Sequence, residues 1–318
     1  MNEHEKIGNK ESISRNDTNI LKGIAILLVM FCHFWALYGG KFNRLATPLG
    51  GIGVSLFLML SGYGLRISWR KHGISYWWRK RIIAVLIPYV ISRIIAYWLW
   101  NPLNIKSFLY DITLLQPGYM HGWYMQYLLW WYVAFYFSSR IASDKSRFLY
   151  GLLAIFSLFL FLTTVSLKAE QSISFLAGVV LADCLSIDKL KQMNYKIIIL
   201  LFIISFVFLL IKQINYIRNS PPLLFKFVEL IIKISSGGGI CLAVLKFNIL
   251  GPIFLKALKW IGLISYELYL IHGYILVRTQ RNVLGIVVFC FLSFALAWCF
   301  HFLLNNSMPV IKKLMAIN

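Results

Sequence analysis

From Ile20 to Tyr38 the chain is apolar almost throughout, and nine further runs of this kind follow: Gly50–Ile67, Ile82–Trp100, Trp123–Phe137, Phe148–Leu167, Ile173–Leu185, Ile197–Ile211, Leu223–Phe247, Ile261–Val277 and Val283–Leu304. About 20 apolar residues wound as a helix match the ~30 Å hydrocarbon layer of a bilayer. In that medium each backbone N–H and C=O must be paired without help from water. Helix is therefore the fold such runs can adopt. The expectation is an all-α, polytopic membrane bundle of about ten transmembrane helices, and an even number places both termini on one side. The sixth run is short and carries Asp183, so it is the least secure span.

Composition excludes a soluble domain. The chain is 59% hydrophobic and only 14% charged, with a mean hydropathy of +0.72. One transmembrane domain is expected over residues 20–304, flanked by tails at 1–19 and 305–318, with no separate extramembrane domain. The first 19 residues are polar and include Glu3, Glu5 and Asp17, unlike a secretory signal. The net charge of +21 does not point to nucleic acid, because the cations are spread over many short loops instead of one patch. Membrane orientation accounts for them. The N-terminus, alternate loops and C-terminus hold more than twice the Lys and Arg of the opposite set, including Arg79, Lys80, Arg81, Lys312 and Lys313. That side is expected to be cytoplasmic. Position 33 then lies in the outer half of the first helix. The five cysteines (Cys32, Cys184, Cys241, Cys290, Cys299) lie in or beside apolar runs without ligand spacing. They read as small core residues, with neither disulfides nor a metal site expected.

Two ionisable residues interrupt the first run. Lys22 and His33 are eleven residues apart, close to three helical turns, so they share one stripe with Ile26 and Val29 between them. The rise between them is about 16 Å, half a hydrocarbon core. Ionisable side chains at membrane depth are costly and mark functional positions by default. The same spacing also fits a lysine that snorkels to the surface and a histidine bonded to a neighbouring helix.

Other stretches carry polar chemistry. Gly53 to Tyr63 holds glycines and serines that permit close helix contact. Trp77-Trp78-Arg79-Lys80-Arg81 precedes Pro88-Tyr89. Its three cations suit a phosphate-bearing ligand, since guanidinium forks onto phosphate oxygens, and they equally suit topology and anionic headgroups. The Asn101–Gly122 loop, the longest on the outer side, could cover a cavity or simply connect. Trp123 and Tyr124 open the fourth run. In the ninth, Ser265, Tyr269 and His272 share a helix face, with Tyr266 beside them and Glu267 pointing away. Lys226, Glu229 and Lys233 share a face of the eighth run and read as a neutralised cluster. Gly237-Gly238-Gly239 is a candidate helix break near mid-membrane.

Taken in order, Leu21-Lys22-Gly23-Ile24-Ala25 through His33, Gly53 through Tyr63, the basic loop before Pro88-Tyr89, Trp123-Tyr124, and Ser265 through His272 resemble the membrane-bound acyltransferase-3 family, which includes bacterial surface-glycan O-acetyltransferases. The resemblance covers most of the chain. It implies ten core helices, cytoplasmic acyl-CoA (acetyl-CoA) as donor with no permanently bound cofactor, and transfer to a hydroxyl of a surface glycan or its lipid-linked precursor. It implies His33 as the catalytic residue. Neutral imidazole can take a hydroxyl proton at pH 7. An acyl-histidine intermediate is the variant. Lys22, Arg79, Lys80 and Arg81 become candidate donor contacts. Tyr63, Trp123, Tyr124, Glu229, Ser265, Tyr266, Tyr269 and His272 become candidate pocket residues, with Ser265, Tyr266 and Tyr269 as possible oxyanion donors. Many members carry Arg-x-x-Arg here. In this chain Arg81 is followed three residues on by Ala84, so Arg79 or Lys80 must serve if a second cation is needed. Some members carry a fused esterase-like domain, which is not expected here. A transporter or flippase of a glycan or lipid precursor fits intramembrane charges equally well, and a glycan polymerase is a third reading.

Overall fold

The computed structural model describes residues 13–38, 43–73, 77–100, 105–117, 122–143, 145–184, 186–247, 251–280 and 282–314. The ends of both expected tails, part of the 101–122 loop and His121 lie outside the described residues. Every regular element among the described residues is helical. In chain order α1 is Arg15–Tyr38, α2 Asn43–His72 and α3 Trp77–Arg81. A π-helical turn, Ile82–Leu86, leads into α4, Ile87–Trp100. Then come α5 (Ile105–Ile112), α6 (Gly122–Ala142), α7 (Ser146–Thr163), α8 (Ser166–Ala169), α9 (Ser174–Cys184) and α10 (Ile187–Gln192). The chain closes with α11 (Tyr195–Gln213), α12 (Asn215–Arg218), α13 (Pro222–Lys246), α14 (Pro252–Leu263), α15 (Ser265–Leu276) and α16 (Val283–Leu314).

Among the described residues, seven helices are long and apolar enough to cross a membrane: Arg15–Ala36, Thr47–His72, Trp77–Leu99, Ser146–Thr163, Tyr195–Gln213, Pro222–Lys246 and Leu284–Ser307. The ten apolar runs all fall on helices, but three do not make spans of that kind. α6 has 21 residues, yet its tryptophans, tyrosines and Gln126 lower its hydropathy. α9 has 11 residues, about 17 Å of rise. The ninth run, expected as one helix, is two. The backbone leaves helical geometry at Ile264, with φ −101° and ψ 13°, in a stretch where Gly262, Ile261 and Ile264 all weaken helix propensity. At the end of the chain, α16 continues to Leu314, past residue 304 where the last span was drawn.

The chain divides into two compact units. The first comprises Met1–His72 and Leu128–Leu263. Its core gathers Leu21, Ala25, Leu56, Leu60 and Cys241. Glycines set its closest approaches. A Cβ on Gly62 would stand 2.2 Å from the Phe175 carbonyl oxygen, and one on Gly178 would stand 1.9 Å from that of Met59. α2 and α9 thus meet backbone to backbone. Asp183 explains how so short a helix is held. Its carboxylate accepts Nε of Arg66 at 2.9 Å, Nη1 of Arg70 at 3.2 Å and the Tyr150 hydroxyl at 2.6 Å. At the other end, the Ser55 and Ser174 hydroxyls are 2.9 Å apart. The residue that made the sixth run doubtful is the one that anchors it.

The triple glycine does not break α13, which runs unbroken from Pro222 to Lys246. It makes room instead. A Cβ at 237 would meet Ser55 Oγ at 2.9 Å, and one at 239 the Phe202 ring at 3.2 Å. Two of the five cysteines, Cys32 and Cys241, are buried as expected. Cys184, Cys290 and Cys299 are exposed on helix surfaces instead, and all five are free thiols.

The second unit comprises Gly73–Tyr127 and Ile264–Asn318. Its π-turn has a local cause. Pro88 lacks an N–H, and its ring clashes with the carbonyl four residues back. The turn widens, and Ile87 N–H bonds the Ile82 carbonyl. Arg93 on α4 is 3.4 Å from Asp111 of α5, and the Tyr89 hydroxyl donates to the same residue at 3.1 Å. Gln126 Nε2 donates to the Leu114 carbonyl at 2.8 Å. The described part of the long loop is therefore tied down at Asp111 and Leu114.

Candidate functional site

α1 carries the two ionisable residues singled out in the sequence. Ile26 and Val29, between Lys22 and His33 on the stripe, are fully buried, while Lys22 and His33 are half-buried. The stripe therefore faces protein along its middle, and its polar ends keep partial access. Both residues are engaged in contacts with their surroundings.

Glycines hold α1 between two helices. On one side a Cβ on Gly23 would lie 2.3 Å from the Leu258 carbonyl oxygen, and one on Gly262 would lie 1.8 Å from that of Asn19. α14 is thus in backbone contact with α1 on both sides of Lys22. On the other, a Cβ on Gly53 would lie 2.5 Å from the Ala25 carbonyl oxygen and 2.9 Å from Val29 Cγ2, and one on Gly50 would lie 2.7 Å from Cys32 Sγ. α2 runs along the stripe up to the level of His33. Substituting these glycines would move the helix that carries both candidate residues.

One residue along α2 from the Cys32 contact, a Cβ on Gly51 would meet Lys233 Cε at 2.1 Å. Glu229 is thereby brought to the His33 end of the stripe. Its carboxylate pairs with Lys233, one turn on in α13, and with Lys212 at the end of α11. Lys233 also reaches Glu170 at 3.3 Å. The expected cluster exists with different members. Lys226 is not in it and donates to the Thr164 carbonyl at 2.6 Å. Two lysines and two glutamates are formally neutral, which is how buried charge is tolerated in a membrane. Beside them, Gln171 Nε2 donates to the Gly51 carbonyl at 3.0 Å, while Gln171 Oε1 and Ser172 Oγ are buried without a hydrogen-bond partner. Tyr63 belongs to the opposite end. It is buried, and its hydroxyl accepts the Ile13 N–H at 2.8 Å. Glu170, Lys212 and Gln171 were missed because they come from separate stretches of the chain. The one available signal was an acid and a base in or beside apolar runs.

The remaining candidates belong to the second unit. Arg79 and Arg81 are half-buried and Lys80 is exposed, on the short α3. The Arg81 guanidinium lies 5.9 Å from the centre of the Trp77 ring. Ala84, where the second arginine of the motif would stand, is exposed on the π-turn. Tyr124 packs edge-on to Tyr269, ring centres 5.1 Å apart, and half-buried Trp123 lies 6.2 Å from Tyr124. Ser265, Tyr269 and His272 share a fully buried face of α15. His272 Nδ1 donates to the Leu268 carbonyl at 2.8 Å. The Tyr266 hydroxyl donates to the Val85 carbonyl of the π-turn at 2.8 Å, so its proton is already committed.

Glu267 does point to another face, but that face is not free. Its Oε1 accepts from His301 Nδ1 at 2.7 Å, and Asn305 Nδ2 donates to His301 Nε2 at 2.8 Å. Glu267 Oε2 is buried without a partner. A carboxylate beside an imidazole can orient a base, and His301 was visible in the sequence as a lone histidine in an apolar helix.

A lysine, a histidine and a buried ion network along one glycine-packed helix have the materials for proton transfer at membrane depth. Neither a curated protein nor a solved structure matches this chain. A family model, described as an acyltransferase domain, matches residues 15–303. That match covers both units and every candidate residue above. It favours group transfer over the transport and polymerase readings. The chain belongs to the acyltransferase-3 family of membrane proteins.

Proposed function

We propose that this membrane acyltransferase moves an acyl group, acetyl in the simplest case, from acyl-CoA to a hydroxyl of a cell-surface glycan or its lipid-linked precursor. His33 acts as general base. It takes the hydroxyl proton as the oxygen attacks the thioester carbonyl, the C–S bond breaks, and CoA leaves as thiolate. The observation that carries this reading is the stripe on α1. A half-buried imidazole stands about 16 Å along the helix from a half-buried ammonium, with fully buried Ile26 and Val29 between them.

In this account the cluster Arg79, Lys80 and Arg81 holds the donor's phosphates, with Arg79 or Lys80 replacing the arginine missing at Ala84, and Lys22 is a separate proposed donor contact in the first unit. Within the first unit Glu229 and Tyr63 are the proposed pocket residues; within the second, taken by itself, they are Trp123, Tyr124, Ser265, Tyr266, Tyr269 and His272. Both termini are cytoplasmic and the protein sits in the cell membrane, a placement supported by the uneven distribution of lysine and arginine among the loops.

Mass spectrometry of surface glycans from cells with and without the gene tests the reaction class. The reading expects a base-labile acyl mass that requires the gene. Unchanged ester content with altered glycan length or export would contradict it.

A further inference from the structure

The ion network of the first unit has more cations around it than its carboxylates require. Lys212 and Lys233 answer Glu229 and Glu170. Two further cations stand beside them and meet neutral groups instead. Lys226, one turn before Glu229 on α13, donates to the Thr164 carbonyl at 2.6 Å. Arg218 of α12 donates through Nε to the Lys212 carbonyl at 3.3 Å and through Nη2 to Gln213 Oε1. Among the described residues neither pairs with a carboxylate. Both are half-buried, so neither is sealed from an incoming group.

The charges are graded along α13. From Pro222, where the helix starts, Lys226 lies about 6 Å and Lys233 about 16 Å along the axis. Past Lys233 stands Gly51, whose carbonyl is held by Gln171, and next to it Gly50 faces Cys32, the neighbour of His33. Here Gln171 Oε1 and Ser172 Oγ are fully buried without a hydrogen-bond partner. Two lysines suffice to neutralise Glu170 and Glu229, so charge balance does not account for Lys226 and Arg218. Orientation does not account for them either. In the topology proposed above this end faces outward, the side whose loops are poor in lysine and arginine.

We propose that the acceptor is an acidic saccharide: Lys226 and Arg218 take its carboxylate or phosphate, and its hydroxyls meet Gln171 and Ser172 at the His33 end of the stripe. The surplus cations select an anion. The buried amide oxygen of Gln171 selects a donor, which carboxylate and phosphate oxygens are not. A saccharide with an acidic substituent supplies both, and its hydroxyls are also what a general base at His33 acts on. The inference rests on the acyl-transfer reading and narrows its acceptor from any glycan to an anionic one.

The full chain is reconstituted in neutral phosphatidylcholine nanodiscs, and binding of three soluble, lipid-free oligosaccharides of one linkage is measured by equilibrium dialysis: a neutral one, its uronate form and its phosphorylated form. At least one acidic form should bind about tenfold tighter than the neutral one, the scale of two partly exposed ion pairs. Lys226→Gln and Arg218→Gln should each cut that preference about threefold, and Lys226→Arg should keep it. A thermal melt establishes that each variant is folded, and Arg218→Gln serves alone if Lys226→Gln is not. Equal binding of all three saccharides, including none, would overturn the proposal. So would an unchanged preference in the folded glutamine variants. Glycerophosphoglycerol, the soluble headgroup of phosphatidylglycerol, should not displace the acidic saccharide at equal concentration. Displacement would make the patch a lipid-headgroup site and overturn the proposal as well. The readout does not depend on turnover. Acid-selective binding without acyl transfer would therefore fault the acyl-transfer reading and leave the anion site standing. Equal acyl transfer to acidic and neutral saccharides would do the reverse.

Discussion

At the scale of single residues, the buried ion network separates what sequence spacing can and cannot reveal. Lys226, Glu229 and Lys233 share a helix face, so a charge cluster was legible. Which groups pair was not, because Lys212 reaches Glu229, and Glu170 reaches Lys233, from other elements. The structure distinguishes the two lysines of α13. Lys233 is buried between two carboxylates, whereas Lys226 meets a backbone carbonyl. Removing one member of a buried pair leaves an uncompensated charge and costs about 3–5 kcal/mol. Lys233→Ala should therefore lower thermal stability in detergent far more than Lys226→Ala, and equal losses would refute the pairing. Arg81→Gln should raise the apparent KM for acyl-CoA several-fold and leave that for the acceptor nearly unchanged. If the variant inserts normally and uses acyl-CoA like the parent, the basic cluster serves topology and lipid contact instead.

At the scale of elements, each of the ten apolar runs falls on helix among the described residues, because apolar length dictates helix in a bilayer. Breaks and contacts were harder to read. Gly237-Gly238-Gly239 looked like a break and is a packing surface, while the actual break, at Ile264, had no glycine run or proline to announce it. A glycine signals both flexibility and close approach, and only the neighbouring helix decides between them. Two glycines of the α2–α9 region give a direct contrast. Gly178 stands against the Met59 carbonyl, while nothing lies within 4 Å of where a Cβ on Gly64 would be. Gly178→Val should push α9 off α2 and cost about 3 kcal/mol. Gly64→Ala should be tolerated, since alanine favours helix by about 1 kcal/mol over glycine. Unfolding midpoints in detergent measure both. A tolerated Gly178→Val would mean the two helices do not meet as described.

At the scale of the molecule, the charge asymmetry of the loops makes a prediction that the helix count alone cannot. A single cysteine at position 110, on a background without the native cysteines, should react with an impermeant reagent from outside. Reaction from the cytoplasm alone would invert the topology and move His33 to the inner half of α1. The central proposal is narrower: His33, at one end of the inward stripe on α1, is the base of an acyl-CoA-dependent transfer. The most direct measurement follows acyl groups from labelled acetyl-CoA to a saccharide acceptor in proteoliposomes, comparing the parent with His33→Ala after both show the same unfolding midpoint. Loss of a positioned base lowers rates about 10²–10⁴-fold, so the variant should transfer at least a hundredfold more slowly. Near-parental transfer by a folded His33→Ala protein would contradict the account.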